Sequence, residues 1–158
     1  MPLLLSEKDM VTGSAAVGLH SGDMKTLFVY GNEANMMVAT RSAGYHSKPH
    51  KHLPEQLNYL IDGELWVFIE DKAYHLKKGD FLRIPGNQLH WAWNRGTVPC
   101  TMAQVHAPVL APEFRAGTVG LFDDTEVRNV NKSPPSETID MDVSDIERRA
   151  MAAVGVLI

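Results

Sequence analysis

The chain has 158 residues, of which 44% are hydrophobic and 22% charged, and a formal net charge of -4. This length suits one domain with a core of its own, the composition excludes a disordered or fibrous chain, and mild acidity gives no reason to expect nucleic acid or an anionic membrane as a partner. Cys100 is the single cysteine, "MPLLLSEKD" lacks the apolar run and basic flank of a secretory signal, and no stretch approaches the roughly 20 apolar residues that span a bilayer, so a reducing, cytoplasmic setting is expected.

Residues 1–24 read as an N-terminal arm. Between residues 25 and 110 short runs rich in Val, Ile, Leu, Phe, Tyr and Trp alternate with turn residues, at the intervals of an all-β sandwich or barrel. The expected strands are "TLFVY", "MMVATR", "QLNYLI", "ELWVFI", "KAYHL", "DFLRI", "WAWNR" and "TMAQVHA", punctuated by "YGNE", "DG", "EDK", "KKGD", "PGN" and "RGTVP". Asp62-Gly63 between two apolar runs predicts a hairpin, because glycine accepts the positive φ that a tight turn demands. Antiparallel pairing is therefore expected from Gln56 to Ile69.

Residues 111–158 form a C-terminal extension of different character. "PVLAPEFR" is punctuated by proline, "NKSPPSET" reads as an exposed linker, and "SDIERRAMAAVGVLI" reads as a short helix. Ser144 followed three residues later by Glu147 fits a capping box. The apolar tail from Val154 to Ile158 is expected to tuck the helix against its own domain rather than against a neighbouring subunit.

His50 and His52 are two residues apart, so on an extended segment their side chains share a face and can converge on one ion. Gln56 keeps the same parity, with Pro54 bending the segment between, and His90 stands in a later strand. Three imidazoles and one amide oxygen make four ligands, a number that leaves open positions on a divalent transition metal. By itself, a His-x-His pair on an exposed strand is more often solvated than metallated.

The spacing around the pair resembles that of the cupin superfamily. The first cupin motif appears as Gly44, five residues, His50-Lys51-His52, three residues, Gln56, six residues, Gly63. The second appears as Gly79, five residues, Pro85-Gly86-Asn87, two residues, His90, three residues, Asn94. The resemblance implies an all-β double-stranded β-helix, a jelly-roll barrel, with a short C-terminal helix following it. It also implies that His50, His52, Gln56 and His90 bind one divalent transition ion (Zn, Ni, Fe or Mn), that Gly44, Gly63, Gly79 and Pro85 form turns, and that Asn94 ends a strand. Two positions depart from the motif. Asn87 replaces a glycine, a change asparagine tolerates because it visits left-handed backbone. Gln56 replaces a glutamate, which leaves the ion's charge uncompensated and makes it a stronger Lewis acid. Glu55 has the opposite parity and would reach the ion only through a register shift at Pro54.

In "TMAQVHAP" strand alternation puts Met102, Gln104 and His106 on one face. Related small cupins place an acidic residue and an aromatic where Gln104 and His106 stand here. His106 is thus the candidate catalytic acid or base, since imidazole titrates near neutrality, with a satisfied histidine at the barrel rim as the plainer alternative. Gln104, Met102, Tyr45 and Trp66 are the candidate substrate-binding residues, Trp66 as a stacking surface and Tyr45, with His46, at the mouth. Arg41, Arg83 and Arg115 are possible carboxylate anchors, although a solvated surface position is expected for each. The resemblance implies chemistry on a small oxygenated molecule, an enolisable carbonyl or phenol: isomerisation, cyclisation or lyase chemistry first, then iron-dependent dioxygenation, then non-catalytic binding. A homodimer is expected, as cupins commonly pair.

Overall fold

In the computed structural model the described residues are 3–15, 17–110, 118–122 and 133–158. Each of the eight expected runs forms a strand. They are β3 (Met24–Tyr30), β4 (Asn35–Arg41), β7 (Glu55–Asp62), β8 (Glu64–Ile69), β9 (Lys72–Lys77), β10 (Phe81–Ile84), β11 (His90–Trp93) and β12 (Cys100–Ala107). Six shorter strands join them: β1 (Gly13–Ser14), β2 (Leu19–Ser21), β5 (His46–Ser47), β6 (His50–Lys51), β13 (Thr118–Gly120) and β14 (Glu137–Thr138). One sheet runs β1-β3-β4-β12-β7-β10, with β13 beside β3; the other runs β14-β6-β11-β5-β2, with β8 on β11 and β9 on β8. Pairing is antiparallel except between β13 and β3. The fold is the expected all-β jelly roll with one short C-terminal helix.

The segments on either side of residues 25–110 are woven into these sheets. In the N-terminal arm β1 pairs with β3 and β2 with β5; in the C-terminal extension β14 pairs with β6. Such two- and three-residue strands carry too little periodic pattern to stand out in the sequence.

The expected hairpin at Asp62-Gly63 does not form. Gly63 does take a positive φ of 79°, but β7 pairs with β10 and β12 while β8 pairs with β9 and β11. The chain therefore turns a corner of the barrel there and passes from one sheet to the other. Burial gives the reason: β7 alternates between buried and exposed residues, whereas β8 is buried on both faces from Leu65 to Ile69. Pairing the two strands side by side would leave one face of β8 in water. The hairpin lies one strand later, where Ile69 is opposite Lys72.

Two apolar clusters hold the layers. Leu60, Leu65, Val67, Ile84, Met102 and their neighbours fill the space between the sheets. Outside the second sheet, Trp66, Phe68, Ala73 and Trp91 pack against Val143, Ala150 and Met151 of the C-terminal segment. Helix α1 (Ser144–Ala153) lies on its own barrel, as expected, through one face that buries Glu147, Ala150 and Met151. Val156 packs on this cluster, but Leu157 is exposed.

The capping box does not form: the N-cap is Val143, and Ser144 donates its N–H and its hydroxyl to Asp142 Oδ1 at 2.9 and 2.6 Å. Glu147 is instead used in docking the helix. Its Oε1 accepts from Trp91 Nε1 and from His46 Nε2, each at 2.7 Å. Among the described residues no helix is long and apolar enough to cross a membrane.

Candidate metal centre

The site lies where the two sheets approach each other. His50 of β6 and His90 of β11 are directly opposed in the ladder, and their ring centroids are 4.3 Å apart. In the other sheet Gln56 of β7 is directly opposed to His106 of β12. His52 lies on the connection that crosses between the sheets, 4.8 Å from the His90 ring and 5.0 Å from the His106 ring. The turn before His90 depends on Asn87, which adopts the left-handed φ of 62° expected of it, and on Gly86, where a Cβ would stand 2.2 Å from the Leu53 carbonyl oxygen. Asn94 ends β11 as expected, its side chain bonded to Ser42 O, Val98 O and Gly96 N.

The hydrogen bonds determine which nitrogen of each ring faces inward. The Nδ1 atoms of His50, His52 and His90 lie 3.1, 2.9 and 2.9 Å from the carbonyl oxygens of Lys48, Pro54 and Gln88. A carbonyl only accepts, so each Nδ1 carries the proton and each Nε2 keeps its lone pair. The ligand nitrogens these rings offer lie within 4.8 Å of one another. His90 Nε2 is buried without a hydrogen-bond partner, and His52 Nε2 faces the Gln56 carbonyl oxygen at 3.1 Å. Several lone pairs meeting in a buried space repel one another unless a cation lies among them. This donor set fits a divalent transition ion held by His50, His52 and His90, with Gln56 Oε1 turned toward the same place. Burial lowers the pKa of each ring, that of His50 to about 4, so the ligands are neutral and ready to bind at physiological pH.

Gln56 is oriented by a chain of hydrogen bonds whose direction is set at both ends. Leu110 N–H donates to Asn35 Oδ1 at 2.8 Å, which turns the Asn35 amide nitrogen toward His106 Nδ1 at 2.9 Å. His106 must therefore accept at Nδ1 and carry its proton on Nε2, which donates to Gln56 Oε1 at 3.1 Å. The Gln56 amide nitrogen then donates to Asn58 Oδ1 at 2.6 Å, and Asn58 donates to the Leu82 carbonyl at 3.2 Å. Every donor meets an acceptor from one backbone group to the other.

This chain changes the expectation for His106. Burial, reinforced by His52 and His50, pushes its pKa down to about 3 rather than leaving it near neutrality. In the resting protein it is a neutral donor that holds the Gln56 oxygen. Asn35 and Asn58, the two further members of the chain, were not singled out in the sequence. Their signal was parity: Asn58 follows Gln56 by two residues, and Asn35 begins the inward face of β4.

A cavity of about 110 Å³ opens beside the histidines, lined by Met102, Gln104, His106 and Tyr45; Tyr45 is 2% exposed and so forms an inner wall rather than the mouth expected of it. Trp66 does not line the cavity. It lies on the outer side of its sheet, 4.3 Å from the His75 ring in a parallel stack, within the cluster that receives the helix. On β8 the parity of Val67, which lines the cavity, places Trp66 on the opposite face. Tyr45 and His46 likewise part company, since consecutive residues point to opposite faces: Tyr45 faces the cavity and His46 meets Glu147. Glu55 does not enter the site but pairs with Arg83 at the surface.

Arg115 lies outside the described residues. Arg41 departs from the surface position expected of it: it is 3% exposed and lines the cavity.

Residues 37–106 match the Cupin domain family. A segment of 48 residues is 44% identical to acireductone dioxygenase of Leptospira biflexa serovar Patoc, covering 28% of this chain and 27% of that enzyme. Among solved structures, the polyketide cyclase RemF from Streptomyces resistomycificus is similar over 94% of this chain and 92% of its own, with a TM-score of 0.63 and 14% identity. A predicted oxalate decarboxylase from Thermotoga maritima is similar over 67% of this chain and 99% of its own, with a TM-score of 0.59 and 14% identity. With the two motifs in place, the jelly roll built and the histidines of both motifs brought to one point, residues 37–106 form a cupin domain.

Proposed function

We infer that this protein is a mononuclear metal-dependent enzyme acting on a small oxygenated molecule, an enolisable carbonyl or a phenol, by isomerisation, cyclisation or lyase chemistry. The observation that carries this reading is the buried, unpartnered His90 Nε2 facing the lone pairs of His50 and His52. A divalent ion bound there supplies Lewis acidity toward a carbonyl, enol or phenol oxygen.

The chain's own residues decide the character of the site. Three neutral imidazoles and the Gln56 amide contribute no negative charge, which favours an electrophilic over a redox centre. His106 donates its Nε2 proton to Gln56 Oε1 and so keeps that oxygen aimed inward. Met102, Ile84 and Val67 line the cavity with apolar surface that excludes water from the reacting atoms. Tyr45 closes the wall beside Arg41.

The second reading, an iron-dependent dioxygenase, is favoured by the segment similar to acireductone dioxygenase. Metal analysis of the purified protein followed by oxygen-uptake measurements on enolic and catecholic compounds separates the two. One non-iron divalent ion per chain, with turnover that consumes no oxygen, is the expected result; oxygen consumption with iron bound selects the dioxygenase.

A further inference from the structure

Arg41 is a buried cation without a counter-ion. Its side chain is 3% exposed. Nη2 donates to Gln104 Oε1 at 2.7 Å, the guanidinium lies 5.4 Å from the centre of the Tyr45 ring, and Nε and Nη1 have no hydrogen-bond partner. No carboxylate pairs with it among the described residues, and none of the described residues lining the cavity is an aspartate or glutamate. A buried charge left in that state is costly.

The geometry points the charge toward the histidines. Arg41 is opposed to Cys100 at one end of β12, yet its guanidinium reaches Gln104, four residues farther along that strand. His106 is two residues beyond Gln104 on the same face, about 7 Å away. The side chain therefore runs along the barrel interior toward the end where the histidines lie, and Arg41 and His50 line the same cavity.

We propose that Arg41 anchors a carboxylate, so that the substrate of this cavity is a small organic acid whose second oxygen faces the histidine cluster. The identification of the histidines as the reacting end rests on the function proposed above; the anion site itself does not. Arg41 Nε and Nη1 are unpartnered and Nη2 keeps a second N–H beside the one given to Gln104, so Nη2 with Nε or with Nη1 can make the two parallel bonds that suit a carboxylate; with Gln56 and Gln104 both amides, the described lining residues bring no negative charge. A dication at the histidines would raise its charge further, so an anionic guest is the missing complement.

The test uses the full-length protein, metal-free and Co(II)-loaded, with acetoacetate and its neutral isostere acetoacetamide as probes. Calorimetry should show the anion binding about tenfold or more tighter than the amide in both forms. Arg41→Met should abolish that preference, and Arg41→Lys should restore part of it. Gln104→Glu, which places a carboxylate on Arg41 from within, should abolish it while leaving the fold intact. Equal affinity for the two probes in the wild type, or a preference that survives both Arg41→Met and Gln104→Glu, overturns the proposal. Failure to take up metal would defeat the function proposed above and leave the comparison in the metal-free protein still decisive for Arg41.

Discussion

Inside the barrel His50, His52, His90 and His106 face one another with no carboxylate among them from the described residues, whereas outside it His46 meets Glu147 and His75 meets Glu64, each at 2.7 Å. The outer rings also stack on tryptophans, His46 on Trp93 at 4.8 Å and His75 on Trp66 at 4.3 Å. The residue type is the same in both places. What differs is the group opposite each ring nitrogen: the outer histidines, and His106 inside, are satisfied by the fold itself, whereas His50, His52 and His90 turn Nε2 lone pairs toward one another, an arrangement that suits a cation. The contrast shows that counting histidines says little about metal binding, and that tracing each Nδ1 and Nε2 to its partner says a great deal.

The largest expected effect breaks the inner group. His90→Ala removes the ring opposed to His50, and metal retained per chain, measured by elemental analysis after dialysis, should fall with a loss of at least about 100-fold in affinity. The same change in the outer group should leave metal content alone. Glu147→Ala strands the His46 and Trp91 donors beneath the helix and should cost about 2–4 kcal/mol of stability by urea denaturation, with metal stoichiometry unchanged.

Acid separates the groups without a mutation. In the metal-free protein burial holds His50 at about 4 and His106 at about 3, against an ordinary value of 6.5. Between pH 6.5 and about 4 the unfolded chain therefore takes up protons at these rings that the folded chain does not. Stability should be whole above pH 6.5 and fall as the pH drops toward 4, seen as a decreasing urea midpoint; loaded metal should oppose the fall at the upper end of that window.

Gln56→Glu sharpens the comparison by giving the inner group the carboxylate that the outer rings already have. Turnover that depends on Lewis acidity should weaken about tenfold, or about 1.4 kcal/mol of barrier, in steady-state assays. His75→Ala, at a pair whose side chains are 32% and 61% exposed, should change stability by less than about 1 kcal/mol.

The barrel was legible because its longer strands are runs rich in Val, Ile, Leu, Phe, Tyr and Trp separated by turn residues, and because its motif glycines stand at turn positions. The histidine cluster was legible from spacing: two-residue parity put His50 and His52 on one face, and the second motif supplied His90. The hairpin at Gly63 was misread because a positive φ signals a turn and says nothing about which strand the chain joins next. Glu147 was misread because the capping-box spacing and a buried position on the helix look alike until the barrel supplies His46 and Trp91. Trp66 and Arg41 exchanged their expected places, the aromatic going outside and the cation inside, since composition favours the reverse and only strand parity within the closed barrel decides.

Local pattern determined the longer strands and which side chains share a face, because side-chain direction on a strand alternates whatever lies around it. The meeting of β6 with β11 and of β7 with β12 across the interior was decided by the tertiary structure, and with it the tautomer of every inner ring and the isolation of Arg41. Those properties depend on which group lies opposite, and groups from distant parts of the chain become neighbours only when the two sheets close on each other.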